Sequence, residues 1–236
     1  MTAPRTALIT GATEGIGRAT ALALGKAGWQ VGICARTAAK VDTTLAEFRA
    51  AGIRAAGQAA DVGDPAQVGT LVAKIEADLG PIDALINNAG VLIGKLFLEL
   101  SLEEWDQTMA TNVRSLFLVT RAVLPGMLSR QRGDIVNVAS LAGRNGFVGG
   151  TAYAASKHAV LGFSRSLMLE TRKQGIRVIA ICPGSVATVM LQDQPLLKAD
   201  AERILRPEDV ASVIKTALEL PTRALVSELD IRPTNP

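Results

Sequence analysis

Ala7-Leu8-Ile9-Thr10-Gly11-Ala12-Thr13-Glu14-Gly15-Ile16-Gly17 is the stretch that decides how this chain folds. It opens as a short apolar strand, continues through glycines spaced G-x-x-x-G-x-G, and leads into a helical pattern that runs through Leu24. Glycines permit a tight turn and let a backbone come close to a ligand. The first amides of the following helix offer unpaired N–H donors and the positive end of a dipole, which together suit a diphosphate. A glycine triplet alone is weak, because close strand–helix packing asks for the same residues. Placed after the first strand and opening the first helix of an alternating pattern, it is strong.

The alternation is there. Apolar, β-type runs fall at residues 7–10, 30–35, 55–60, 84–87, 135–139, 178–182 and 225–231, with helical periodicity between them. Val68, Leu71, Val72, Ile75 and Leu79 recur at helix spacing, and Asp64-Pro65 supplies a cap and a first-turn proline. Longer helices are expected over 102–130 and 151–173. Strands apolar on nearly every residue, separated by helices, predict a parallel sheet covered on both faces. No linker divides the chain, so residues 1–236 are expected to form one α/β domain, with an irregular substrate loop over about 188–206.

Composition narrows the function. The chain has 236 residues, 48% hydrophobic and 20% charged, with a net charge of +3 and aromatics at 3%. That is a globular composition without the basic, aromatic-interleaved stripe of a nucleic-acid binder. The single histidine, His158, and the absence of acid or cysteine clusters at ligand spacing leave no metal site to expect. Cys34 and Cys182 read as unpaired buried thiols, no run has membrane length, and a cytoplasmic location is expected.

Two further features point to chemistry. Tyr153-Ala154-Ala155-Ser156-Lys157 holds the only tyrosine, and positions i and i+4 share a helix face. The spacing predicts the Lys157 ammonium beside the Tyr153 phenol, where a cation would lower the phenol pKa and prepare a general acid or base. Such a pair also arises by chance on ordinary helices. At the end of the second strand, where a dinucleotide fold meets the adenosine ribose, stand Arg36 and Thr37 rather than an acid. A guanidinium there suits a 2′-phosphate, which predicts NADP(H) over NAD(H).

With the glycine loop Thr10–Gly17, Asn87-Asn88-Ala89-Gly90, Asn112, Ser140, Tyr153 with Lys157, and Pro183-Gly184 in this order, the sequence resembles the short-chain dehydrogenase/reductase family in its single-domain branch. The resemblance implies one Rossmann-like, doubly wound domain with a seven-stranded parallel sheet and helices on both faces. It implies cofactor contacts from Gly11, Thr13, Gly15, Ile16, Gly17, Arg36, Thr37, Asp61, Val62, Asn88, Ala89, Gly90, Tyr153, Lys157, Pro183, Gly184, Val186 and Thr188. It implies a catalytic set of Asn112, Ser140, Tyr153 and Lys157. In that set Ser140 would polarise a carbonyl oxygen and Tyr153 would protonate it. Lys157 would lower the Tyr153 pKa and bond the nicotinamide ribose, and Asn112 would hold a water leading from Lys157 to solvent. His158, turned to another face, is expected to be structural.

The resemblance also places Val91, Leu92, Ile93, Leu141, Phe147, Val148, Val189 and Met190 around the reacting centre, an apolar wall for a ketone or aldehyde. An NADPH-dependent carbonyl reductase is the favoured expectation, with a 3-ketoacyl-carrier-protein or -CoA reductase as the alternative. Two departures weigh against the alternative: the chain ends Ser227-Glu228-Leu229-Asp230-Ile231-Arg232-Pro233-Thr234-Asn235-Pro236, and Gln131 and Gln174 stand where carrier-binding arginines are expected. Arg130, Arg132, Arg172 and Lys173 flank them. A catalytically idle NADP(H)-binding protein of the same fold is a third reading, and the intact tetrad speaks against it. By resemblance the chain is expected to form a dimer or tetramer, a homotetramer in preference, and to have no membrane or nucleic-acid partner.

Overall fold

The computed structural model describes residues 4–194, 196, 200 and 202–234. Seven strands lie in one parallel sheet: β1 (Thr6–Thr10), β2 (Gln30–Ala35), β3 (Ala55–Ala59), β4 (Ile82–Asn87), β5 (Gly133–Val138), β6 (Ile176–Pro183) and β7 (Glu228–Ile231). Their spatial order is β3-β2-β1-β4-β5-β6-β7, so the winding reverses between β1 and β4. Helices α1 (Gly15–Lys26), α2 (Ala38–Ala50), α3 (Pro65–Leu79), α4 (Leu102–Met109), α5 (Ser115–Ser129), α6 (Thr151–Thr171), α7 (Val189–Gln192) and α8 (Pro207–Glu219) connect them.

The residue-by-residue apolarity of the strands is explained by two cores. Ala7, Ile9, Val31, Ile33, Ala84, Ile86, Val136, Val138, Ile179 and Ile181 face one side, with α1, α2 and α8. Leu8, Cys34, Leu85, Ile135 and Val178 face the other, with α3, α5 and part of α6. Neighbouring residues in a strand point to opposite faces, so a sheet covered twice has no polar register. Each fully buried Leu or Ile contributes roughly 1.5–3 kcal/mol. Asp64 caps α3 as the sequence indicates, accepting from the amides of Ala66 and Gln67.

The structure corrects several boundaries. Strands β4, β5 and β6 begin earlier than residues 84, 135 and 178, because their neighbours in the sheet pair with Ile82, Gly133 and Ile176. β7 starts at Glu228, not 225, since pairing with β6 begins only there. The helix expected over 102–130 is broken by a π-helical turn at Ala110–Arg114. The loop expected over about 188–206 carries the short helix α7 and a bridge between Val186 and Leu205. Its residues Pro195, Leu197, Lys198, Ala199 and Ala201 lie outside the described residues, as do the two chain ends, 1–3 and 235–236.

Two buried polar groupings brace the sheet. Asn87 Nδ2 donates to Asn137 Oδ1 (2.9 Å) and to Thr120 Oγ1 (3.1 Å), and Asn137 Nδ2 donates to Ser164 Oγ (2.9 Å), joining β4, β5, α5 and α6. At the opposite end of β5, buried Asp134 accepts from Arg177 Nε (2.6 Å) and from Arg5. Arg177 also donates to the carbonyls of Leu218, Leu220 and Ala224, fixing the end of α8. Removing one member of such a group leaves uncompensated buried charge. Asp134→Ala is therefore expected to destabilise the fold by about 3–5 kcal/mol in denaturant unfolding. A loss near that of an exposed ion pair, under about 1 kcal/mol, would contradict the assignment.

Candidate active site

The site begins where β1 and β4 diverge. Asn88, just past β4, donates through Nδ2 to the carbonyls of Thr10 (2.9 Å) and Gly11 (3.0 Å). In return Thr10 Oγ1 accepts from the amides of Asn88 and Ala89, both at 3.0 Å. Side chains are excluded from this junction: a Cβ on Gly17 would lie 2.4 Å from both Asn88 Nδ2 and Gly11 O. Gly11 and Gly15 adopt φ of 64° and 54°, a region other residues rarely enter. A Cβ on Gly15 would also stand 3.2 Å from Thr188 Cγ2, so the glycine loop and the segment after β6 approach across the cleft. Glu14 occupies the N-cap of α1 without a side-chain capping bond, which leaves the first amides of that helix facing the cleft uncapped.

A cavity of about 630 Å³ runs along this edge of the sheet. Gly11, Thr13, Gly15, Ile16, Arg36, Asp61, Val62, Asn88, Ala89, Gly90, Ser140, Tyr153, Lys157, Pro183, Gly184, Val186 and Thr188 line it. So do Val91, Leu92, Leu141, Phe147, Val189 and Met190 of the expected apolar wall. Gly17, Thr37, Asn112, Ile93 and Val148 do not: Gly17 is consumed by packing, Thr37 is exposed at the N-cap of α2, and Val148 is exposed. Among the lining residues that sequence reasoning missed are Glu14, Cys34, Thr111, Arg232 and Pro233. Arg232 and Pro233 arrive because β7 pairs with β6, and Gly184 N donates to Ile231 O at 2.8 Å. Nothing local in the sequence marks that approach.

At the other end of the cavity the tetrad residues assemble. Ser140 follows β5; its Oγ accepts from Ala142 N (3.1 Å) and donates to Pro183 O (3.4 Å). Tyr153 and Lys157 are one turn apart on α6, with Lys157 Nζ 5.6 Å from the centre of the Tyr153 ring. The ammonium donates to Val138 O at 2.8 Å. The Phe147 ring meets Tyr153 edge-on at 6.3 Å between centres. Asn112 sits in the π-helical turn and is held on both sides: it exchanges bonds with the Val91 backbone (2.8 and 2.9 Å) and donates to Ser156 Oγ (2.9 Å). Ser156 Oγ donates in turn to Tyr153 O (2.7 Å), so the loop after β4, the π-turn and α6 are joined. His158 Nδ1 lies 2.8 Å from Ala154 O, the structural arrangement expected of it.

The electrostatics correct one expectation. Burial pushes the Tyr153 phenol above its ordinary value, and the hydrogen bond with Ser140 offsets only part of that rise. Lys157, desolvated in the same way, is brought down to about 8. The i, i+4 spacing predicted a lowered phenol pKa. It put the two side chains on one face, but it carried no information on how far the fold desolvates each of them, and desolvation penalises each charged form.

A family model described as short chain dehydrogenase matches residues 5–198. A putative ketoacyl reductase of Streptomyces coelicolor is 46% identical over 78% of this chain and 71% of its own. A 3-oxoacyl-[acyl-carrier-protein] reductase of Synechocystis is 35% identical over 94% and 92%. Among solved structures, actinorhodin polyketide ketoreductase with NADPH superposes with a TM-score of 0.91 at 36% identity, covering 98% of this chain and 96% of that one. A metagenomic short-chain oxidoreductase in complex with NADP has a TM-score of 0.86 at 33% identity, over 99% of both. The chain belongs to the short-chain dehydrogenase family and is an oxidoreductase.

Tyr153 is the only tyrosine, so phenolate absorbance reports this side chain alone once the Trp29 and Trp105 background is subtracted. In cofactor-free protein the midpoint is expected above about 10, the ordinary phenol value. In Ser140→Ala it is expected to rise further, because the one lowering contact is gone. A midpoint below the ordinary value would contradict the dominance of burial.

Proposed function

We propose that this oxidoreductase reduces an apolar ketone or aldehyde with NADPH, and that Tyr153 donates the proton. The observation that carries the reading is the continuity of the cavity, which runs from the glycine loop and Arg36 to Ser140, Tyr153 and Lys157.

The residues present fit the cofactor. The positive-φ glycines leave room for backbone to meet a diphosphate, and the uncapped amides of α1 supply donors. Arg36, exposed and lining that end, matches a 2′-phosphate. Asp61 and Val62 would border the adenine, with Asn88, Ala89 and Gly90 along the cleft. Pro183, Gly184, Val186 and Thr188 would close over the nicotinamide end. Thr37 lies outside the cavity lining, so its hydroxyl would help only at the rim. NADPH supplies the hydride when bound; the chain supplies position and electrostatics.

In this reading the Ser140 hydroxyl donates to the substrate oxygen, exchanging its long bond to Pro183 O for a better acceptor. Tyr153, kept protonated by burial, delivers its proton to the same oxygen as negative charge develops there. The Lys157 ammonium, 5.6 Å from the centre of the Tyr153 ring, stabilises the resulting phenolate. Asn112, anchored to Val91 and Ser156, holds the π-turn against α6. Its water-holding role would be played beside Gly90 and Lys157: a Cβ on Gly90 would lie 3.2 Å from Asn112 Oδ1 and 3.8 Å from Lys157 Nζ.

The names of the relatives favour a ketoacyl thioester as the substrate class. A carrier-protein surface at Arg130 and Arg132 gains less support, because Arg130 donates to Ile82 O (2.7 Å) and Arg132 pairs with Asp83 (3.5 Å). Phe117 on α5 and Leu169 on α6, exposed at 46% and 59%, support packing of these helices against another copy in a homo-oligomer. The free thiols of Cys34 and Cys182 agree with a cytoplasmic setting.

Tyr153→Phe is expected to bind NADPH as the parent does and to lose about 10²–10⁴-fold in turnover of acetoacetyl thioesters, diketones or aldehydes. NADPH binding without turnover on any of these by the unaltered protein would favour an idle binding protein instead. Arg36→Asp is expected to raise KM for NADPH and to improve use of NADH; a parent protein that prefers NADH would overturn the NADP(H) assignment.

A further inference from the structure

Gln194, in the turn after α7, uses both ends of its side-chain amide. Oε1 accepts from Gly94 N at 2.8 Å, while Nε2 donates to Leu92 O at 3.0 Å and to Met190 O at 3.2 Å. A C=O and an N–H flanking one residue are what a neighbouring parallel strand pairs with, so the amide substitutes for the N–H and C=O of one strand residue opposite Ile93. A Cβ at 94 would lie 2.6 Å from Gln194 Oε1, so a side chain there would displace the amide from this position. A second tie lies alongside. Lys95 N donates to Gly149 O at 3.0 Å, and a Cβ on Gly149 would stand 2.5 Å from Leu196 Cδ1. Three segments distant in sequence are thereby locked together around the substrate end of the cavity, where Leu92, Phe147 and Met190 form the wall.

We propose that Gln194 is a specificity-determining positioning residue: its amide clasps the segment after α7 to the backbone at Leu92–Gly94 and sets the width of the substrate mouth. The inference rests on the reading that the Ser140–Tyr153 end receives the carbonyl substrate. Gln194 donates to Met190 O as well as to Leu92 O, so the facing walls at Leu92 and Met190 share one anchor. On this proposal, releasing the clasp widens the mouth and favours a bulky fused-ring ketone relative to a thin acyl chain. Neither Gln194 nor Gly94 lines the cavity, which separates this role from contact with the reacting atoms.

The test uses the full chain with NADPH bound, comparing the parent with Gln194→Ala and Gln194→Glu. Two ketones serve as probes, the acetoacetyl thioester of N-acetylcysteamine and 1-tetralone. In Gln194→Ala, hydrogen exchange at the Gly94 amide is expected to accelerate about tenfold as its acceptor is lost. KM for the thioester is expected to rise about fivefold, the worth of one neutral hydrogen bond, with kcat and NADPH affinity close to the parent's. The ratio of kcat/KM for tetralone to that for the thioester is expected to rise by a similar factor. Gln194→Glu keeps an acceptor for Gly94 N but sets a carboxylate oxygen against the carbonyls of Leu92 and Met190, so its selectivity shift is expected to be at least as large as that of Gln194→Ala. Unchanged Gly94 exchange in Gln194→Ala, or an unchanged selectivity ratio, would overturn the proposal. A parent that binds NADPH but reduces neither ketone would overturn the proposed function, while the Gly94 exchange would still judge the clasp.

Discussion

The bond pair between Asn88 and the Thr10–Gly11 carbonyls is the constraint from which the site follows. β1 and β4 are neighbours in the sheet, but the chain leaves them in opposite directions, and a crevice opens between the departing loops. Left alone, the crevice would have two floppy walls with unpaired backbone groups. The Asn88 amide ties the walls together, and Thr10 Oγ1 returns the bond to Asn88 and Ala89. Gly17 is glycine because that tie leaves no room for a Cβ, and Gly11 because its φ of 64° suits glycine in a tight approach to Ala89. The rest of the cavity is built outward from this fixed edge.

The reacting end depends on a similar economy of polar groups. Ser156 Oγ, Asn112 and the Val91 backbone connect α6, the π-turn and the loop after β4. The π-turn turns Asn112 inward at the level of Gly90. Burial acts on both groups: it raises the Tyr153 phenol above its ordinary value and brings Lys157 down to about 8. Desolvation moves the two groups apart, the phenol up and the ammonium down, and each shift disfavours the charged form.

Much of this was legible in the sequence, for identifiable reasons. A parallel sheet buried on both faces forces unbroken apolar runs, and those seven runs were visible with only their ends misplaced. The glycine loop, Arg36, and the pairing of Tyr153 with Lys157 were legible because their spacing follows from one strand, one loop or one helix, while Ser140 was reached through the family resemblance. Asn112 was legible through the family resemblance alone; its spacing gives no hint of a π-turn. Arg232, Pro233 and Gln194 were hidden because long-range pairing brings them to the cavity, Gln194 as a lone amide in an irregular segment. The sign of the Tyr153 shift was hidden too, since spacing encodes proximity but not exclusion of water.

The central claim is that one cavity aligns a nicotinamide cofactor with a carbonyl held at Ser140 and Tyr153. The most direct measurement is turnover of a ketone with NADPH carrying deuterium on one face of the nicotinamide ring, followed by analysis of the alcohol. The account predicts that deuterium from a single face appears on the carbinol carbon, and on that carbon alone. Label lost to solvent, or delivered equally from both faces, would contradict it.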